Sequence, residues 1–180
     1  NSIYNDIQIT GLGDEAITLS DTSLSAANLN TLDENTTGTI NATSVTTITG
    51  SASEINSVIT SNGITTATDY TVTVSDNPTL AQLVALNNDT TGSITLSVTS
   101  DNLTGSMSDL LAAFSGTITT YSGNLTVTDV NVSAADLNTL LTATSGDINA
   151  SNVTTLTGTL SAINSIYNDI QITGLGDEAI

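Results

Sequence analysis

Apolar and polar residues follow two alternating patterns along the chain. In some short segments Ile, Leu or Val alternate with Ser or Thr, which is typical of half-buried β-strands. In others, apolar residues recur three and four positions apart after a Ser, which predicts short helices with Ser25 and Ser133 as N-caps. Ser51 and Glu54 have the spacing of a capping box and predict a third helix start. The predicted strands are residues 17–20, 71–75, 94–99 and 125–130, and the first two helices lie within residues 25–35 and 133–143.

The sequence also repeats itself at two levels. Residues 1–17, NSIYNDIQITGLGDEAI, recur unchanged as residues 164–180, which indicates a 163-residue period of a tandem array followed by the start of the next copy. Within that period, Gly38, Gly92 and Gly146 recur at one constant interval, in TTGTI, TTGSI and TSGDI. We therefore describe residues 1–180 as a single continuous segment of three units, residues 10–63, 64–117 and 118–172.

Each unit divides again into two nearly equal halves, because Ile55 lies close to midway between the equivalent residues Leu29 and Leu83. Each half contains a strand-like piece and a short helix, and we expect the glycine at the helix-to-strand junction to adopt positive φ. Two helix–sheet seams are predicted. One contains Leu29, Leu32, Leu83, Leu86, Leu137 and Leu140, and the other contains Ile55, Leu110 and Ile163.

These repeats predict a β-solenoid with short helices, an α/β-type solenoid of coils of about 27 residues paired into 54-residue units, with parallel stacked strands. Parallel strands stack about 4.8 Å apart, whereas helix axes need about 8–10 Å. Helices on alternate sides of the stack satisfy both distances, so we predict a straight, two-sided solenoid. Six coils would then rise about 29 Å for each 163-residue repeat.

Composition restricts the function. The chain has 18 acidic residues, a formal charge of −18, and no Lys, Arg, His or Cys. Without cations it has no means to neutralise nucleic-acid phosphates or to bind an anionic membrane surface. Each carboxylate must therefore be solvated, cap a backbone group or hold a metal ion. A charge of this size favours a saline exterior, where salt screens the self-repulsion.

The catalytic inventory is nearly empty. Without His, Cys or Lys there is no ordinary general base near neutral pH, no thiol nucleophile and no Schiff-base amine. The closest candidate is the carboxylate pair Asp14–Glu15, repeated as Asp177–Glu178 in GLGDEA. We interpret this segment as a tight turn at Gly11 and Gly13, and we predict that the protein is not an enzyme.

A metal site is the strongest cofactor hypothesis. Asp21, Asp76 and Asp129 recur after equivalent strands, at nearly equal intervals. A ladder of stacked carboxylates would offer the all-oxygen ligands that Ca²⁺ prefers. The alternative is that these aspartates cap turns before helices. No other cofactor is predicted.

The outward positions of the strands are largely Thr, Ser and Asn, as at Thr71 and Thr73. Flat arrays of Thr can order water, so an ice-binding face is one hypothesis. The simpler interpretation is that Thr is the best polar strand former.

The segments AADLNTL…TSGDINASNVTTLTG and ITGLGDEAITLSDTSLSAANLNTL resemble the tandem repeats of giant cell-surface proteins of marine cyanobacteria, which serve swimming motility and adhesion. The resemblance implies secretion, an extracellular or cell-surface location and a structural role. We therefore expect a repeat of a long extracellular filament whose partners are neighbouring copies of the same repeat. The alternative is an adhesin stalk that presents a separate binding domain, and a carbohydrate-active or ice-binding β-helix comes third.

Overall fold

A computed structural model describes residue 3 and residues 9–176 of the chain. In this part of the chain, six short helices are separated by pairs of short strands. The helices are α1 (Ala26–Asn35), α2 (Ala52–Thr60), α3 (Leu80–Asp89), α4 (Met107–Ala113), α5 (Ala134–Leu140) and α6 (Leu160–Tyr167). The strands are β1 (Ile17–Thr18), β2 (Ser23–Ser25), β3 (Ile40–Ala42), β4 (Thr47–Gly50), β5 (Ile64–Thr66), β6 (Thr71–Val74), β7 (Ile94–Leu96), β8 (Leu103–Gly105), β9 (Leu125–Val127), β10 (Asn131–Ser133), β11 (Ile148–Asn149), β12 (Thr155–Thr157) and β13 (Ile172–Thr173).

Every one of these helices begins after a Ser or Thr whose hydroxyl oxygen accepts a hydrogen bond from the third helical N–H. The predicted N-caps Ser25 and Ser133 and the capping box of Ser51 with Glu54 are confirmed. Hydrogen bonds from the backbone and then the hydroxyl of Ser51 hold the pKa of Glu54 below its ordinary value. Successive helices start 26 to 28 positions apart, as the predicted period requires. The full set of N-caps is Ser25, Ser51, Thr79, Ser106, Ser133 and Thr159.

The paired strands within the described residues are all parallel. They form the rows β1–β3–β5, β2–β4–β6–β7, β8–β9–β11–β13 and β10–β12. Residues 40–50, 94–105 and 148–158 each contain two strands joined by a bend. We call each run of strands together with the helix that follows it a rung, and number rungs 1 to 6 by their helices. The fold is thus α/β, with parallel strands and short helices in a repeat-like arrangement.

Strand pairing has a shorter period than the helices. Paired residues are 22 to 24 positions apart, as in Ile17 with Ile40 and Val72 with Ile94. Strand β6 pairs on one side with β4, which precedes a helix, and on the other with β7, which follows one. A strand that precedes a helix can therefore pair with a strand that follows one. Along the chain, the start of each helix shifts relative to the paired strands.

The prediction that helices alternate between two sides is wrong, because each helix contacts the next one in the chain, from α1 through α6. The physical reason lies in the two periods. The helix interval exceeds the strand interval by about three residues, or about 10 Å of extended chain. This extra length of chain is sufficient for the spacing of about 8–10 Å that packed helices need, although the strands rise by only about 4.8 Å.

The buried apolar residues form one hydrophobic core from Ala26 in rung 1 to Ile166 in rung 6. The prediction of two separate seams is therefore wrong, since Leu83 and Ile55 belong to this same core. Leu32 is only partly buried. Each of the three predicted units contains two of the helices, while the exact unit boundaries stay a prediction.

Candidate functional site: the contacts between rungs

The buried polar side chains of the described chain are three evenly spaced threonines, Thr36, Thr90 and Thr144. Each lies just after a helix and donates its hydroxyl proton to a backbone carbonyl of the preceding rung. For Thr90 the acceptor is the carbonyl oxygen of Tyr70, at 2.6 Å. The same hydroxyl oxygen accepts the N–H of Gly92 at 3.0 Å. Each hydroxyl thus satisfies one backbone group on its own rung and one on the rung before. The equivalent acceptors are the carbonyls of Glu15 (3.1 Å) for Thr36 and of Gly123 (2.8 Å) for Thr144.

The glycines two residues further on, Gly38, Gly92 and Gly146, do not have positive φ, so the predicted reason for them is wrong. A Cβ at any of the three would overlap the backbone of the preceding rung. At Gly92 the overlap is with the carbonyl groups of Asp69 and Tyr70. At the Thr-x-Gly repeat two rungs therefore approach too closely for a side chain, and glycine is required there for space.

A second set of hydroxyls ties the bends of one rung to those of the rung before. The backbone N–H of Thr46 donates to the carbonyl of Thr22 at 2.9 Å, and its hydroxyl donates to the same oxygen at 3.0 Å. This double contact recurs throughout the stack and gives the Ser and Thr content a structural cause. Sequence reasoning missed it, although the regular recurrence of Ser and Thr at the strand interval was a usable signal. The donors are Thr37, Thr46, Thr71, Thr91, Thr119, Ser122, Ser145 and Thr154.

Two of the three calcium candidates bind helix N-termini on the preceding rung. A carboxylate oxygen of Asp76 accepts the N–H of Ala52, the first residue of α2, at 2.7 Å. Asp129 accepts the N–H of Met107, the first residue of α4, at 2.5 Å. A carboxylate at this end of a helix is stabilised by the helix dipole. Each of these two carboxylates thus caps the N-terminus of the helix in the preceding rung.

The third candidate, Asp21, lines a groove at the rung 1 end. Within the described residues, no group of three His, Cys, Asp or Glu side chains is placed to hold a metal ion. The predicted carboxylate ladder of Asp21, Asp76 and Asp129 is not formed there, and calcium binding at these residues stays a prediction.

Asp76→Ala is expected to lower the free energy of unfolding by about 1 kcal/mol, because α2 loses its cap and the favourable charge at its N-terminus. Urea unfolding at constant ionic strength, with calcium and with a chelator, measures the effect. The cap predicts equal losses in both conditions. A wild-type midpoint that falls with the chelator, while the Asp76→Ala midpoint does not, would instead place calcium at Asp76.

The segment GLGDEA forms a turn. Gly11 and Gly13 have φ of 84° and 134°, in the region that favours glycine. The carboxylate of Glu15 accepts the N–H of Gly13 at 2.9 Å, so this side chain stabilises the turn. The second copy of the pair, Asp177–Glu178, lies outside the described residues.

Two tyrosines are buried between rungs. The Tyr70 hydroxyl donates to a carboxylate oxygen of Asp89 at 2.5 Å. The ring of Tyr121 lies 5.4 Å from that of Phe114, and its buried hydroxyl has no hydrogen-bond partner among the described residues. Burial raises the pKa of both phenols, and the negative charges of Asp89 and Asp101 raise those of Tyr70 and Tyr121 further.

These shifts predict a loss of stability in alkali. The unfolded chain releases tyrosine protons near pH 10, whereas the folded chain holds them to higher pH. The free energy of unfolding should be constant up to that pH and fall as the pH rises beyond it. Because Lys, Arg, His and Cys are absent, the four tyrosines are the side chains of this chain that titrate in this pH range. Urea unfolding between about pH 9 and about pH 12 measures it.

Two variants separate the contributions of Tyr70 and Tyr121 to the loss of stability in alkali. Tyr70→Phe should weaken the alkaline loss and lower stability at neutral pH by about 1 kcal/mol, since Asp89 loses its donor. Tyr121→Phe should weaken the alkaline loss without lowering neutral stability, since its hydroxyl makes no bond. An alkaline loss that both variants retain in full would show that other groups cause it.

Comparison with family models, with curated proteins and with solved structures gives no match. None of the helices in the described part of the chain is long and apolar enough to cross a membrane.

Proposed function

We propose that this chain is a structural repeat of a long extracellular or cell-surface filament, built as a solenoid in which each rung stacks on the one before. The observation that carries the proposal is the Thr-x-Gly contact, which joins one rung to the preceding rung at three evenly spaced places. Because this contact is made to backbone groups, it does not depend on which side chains lie on the outer surface, and the same contact can join any number of successive rungs. Such a contact suits a long filament.

The hydroxyl and carboxylate groups that could act in binding or catalysis make hydrogen bonds within the protein. The hydroxyls of the bends donate to backbone carbonyls, and the carboxylates of Asp76 and Asp129 cap helices. With no Lys, Arg, His or Cys in the sequence, the proposed function is mechanical and not enzymatic. The same hydroxyl contacts disfavour an ice-binding or carbohydrate-binding face, because such a face needs hydroxyls directed to the ligand.

The charge of −18 supports the proposed location and partners. Acidic rods repel one another and remain separate unless salt screens them, which fits a saline exterior. Nucleic acid and anionic membranes carry the same sign of charge. The proposed partners are therefore neighbouring copies of the repeat, stacked end to end.

Electron microscopy of a chain with several consecutive copies tests the proposal. A solenoid predicts a continuous thin rod that lengthens by about 34 Å for each added copy, because a 163-residue copy contains about seven strand intervals of 22 to 24 residues, each rising about 4.8 Å. This length replaces the value of about 29 Å predicted from six coils. Separate globules joined by flexible segments would contradict it. If rods form, a binding domain found elsewhere in the full protein would favour the adhesin stalk over the self-sufficient fibre.

A further inference from the structure

The rung 1 end carries an apolar groove of about 440 Å³, lined mainly by Ile17, Leu19, Leu24, Leu29 and Leu32. The same residue positions recur further along the chain, where they are covered. Ile17 and Leu19 are half-buried, whereas their equivalents in rung 3, Val72 and Val74, are fully buried. The groove is thus a rung-to-rung contact surface that no rung covers within the described residues, although Ile3 also lines it.

The covered version of this groove shows what fills it. Between rungs 2 and 3 only about 10 Å³ remains, lined from rung 3 by Val74, Pro78 and Leu86, the equivalents of Leu19, Leu24 and Leu32. The opposite wall is helix α2, through Ala52, Ile55 and Ile59. An even-numbered helix of the preceding rung therefore closes the groove.

Helix α6 is the even-numbered helix with two of its three covering positions exposed, while Ile163, at the position of Ile55, is buried in the core. Leu160, its first residue, is 76% exposed, whereas the first residues of α2 and α4, Ala52 and Met107, are 6% and 7% exposed. Tyr167, at the position of Ile59 in α2, is 41% exposed. The α6 end therefore presents apolar side chains in the positions that close the groove elsewhere.

The helix caps follow the same order. Asp76 accepts the N–H of Ala52, and Asp129 accepts that of Met107. Asp21 precedes Asp76 by one unit of the repeat and is the equivalent side chain in the groove. The matching helix N-terminus for Asp21 is that of α6, at Leu160.

Chain length agrees with this arrangement. Because residues 164–180 repeat residues 1–17, the position of Ile17 in a following copy is already occupied by Ile180 of this chain. The separation of Leu160 from Ile180 equals that of Ala52 from Val72, the equivalent pair inside the molecule. The connection between two copies thus has the length of a connection within one.

We propose that the groove binds helix α6 of a preceding copy of this repeat, with the Leu160 side chain in the groove and the Asp21 carboxylate accepting the Leu160 N–H. This proposal rests on the proposed function, since it specifies how copies stack. It assigns Asp21 the role that Asp76 and Asp129 have within the molecule.

A disulfide cross-link tests the junction, because the natural chain has no cysteine. In a chain of two consecutive copies, Leu160→Cys in the first copy is combined with Asp21→Cys in the second. The positive control is Ala52→Cys with Asp76→Cys within one copy, where the contact is observed. The negative control pairs Leu160→Cys with Ser57→Cys of the second copy, an exposed position on α2. We expect the junction pair to oxidise as completely as the positive control.

A second variant does not depend on cysteines. Leu160→Ser should lower the urea midpoint when it is placed in the first copy and leave it unchanged in the second, where Leu160 stays exposed. Equal effects in both copies would overturn the proposal.

Electron microscopy of the same chain separates the two proposals. The junction pair could oxidise no better than the negative control although the chain forms a continuous rod. That result would overturn the proposed junction but not the proposed filament. The same result in a chain of two separate globules would overturn both.

Discussion

Gly92→Ala is expected to lower the free energy of unfolding by about 3 kcal/mol or more. The new Cβ would overlap the carbonyl groups of Asp69 and Tyr70 on the preceding rung. Backbone cannot rotate away as a side chain can, so rungs 3 and 4 would have to separate. Separation would also stretch the bonds of the Thr90 hydroxyl. Urea unfolding followed by circular dichroism measures the loss.

Gly50→Ala is the matched control. Its Cβ would lie 3.1 Å from the Cβ of Ala26 and 3.1 Å from a carboxylate oxygen of Glu54, both in side chains. The expected loss is below about 1 kcal/mol. Both substitutions restrict the unfolded chain equally, so their difference reports the crowding alone. Equal losses for Gly92→Ala and Gly50→Ala would contradict the close approach of the rungs at Gly92.

Leu83→Asp should lower the free energy of unfolding by several kcal/mol, because Leu83 is fully buried in helix α3 and a carboxylate there is removed from water. The chain has no Lys or Arg to pair with the new charge. Since the core runs continuously through the rungs, the loss should also spread to neighbouring rungs. Hydrogen exchange would show it as lost protection of amides in α2 and α4.

Ala81→Asp makes the same change in charge two residues away, on the exposed side of α3. It lies in the first turn of the helix, where a negative charge is favourable. The urea midpoint of the Ala81→Asp variant should match or exceed that of the wild type. A Leu83→Asp variant as stable as Ala81→Asp would show that Leu83 does not belong to the core.

Local structure was predictable because its signals are local. A helix N-cap needs only a Ser or Thr and the residue three positions on, so Ser25, Ser51 and Ser133 were identified correctly. The strand period was not, because pairing Ile17 with Ile40 depends on which of many similar Ile and Val positions meet. The helix period was visible in the leucine spacing, and it concealed the shorter period of the strands.

The contacts between rungs were predictable only in part. The spacing of Gly38, Gly92 and Gly146 identified the correct positions. It did not identify the cause, because positive φ and a close backbone approach both select glycine and look alike in a sequence. The regular spacing of Asp76 and Asp129 likewise fits a metal ladder and a series of helix caps equally well. Only the position of the preceding rung distinguishes these alternatives.

The shift of the helices relative to the paired strands has a consequence for how a long array meets its surroundings. If the proposed filament continues this displacement from copy to copy, the outer ridge of helices winds around the strands. Two such rods in contact along a straight line would lose their matching surfaces within a few rungs. Lasting side-by-side association would require them to twist around each other, and a rod pulled at its ends would be expected to rotate as it extends.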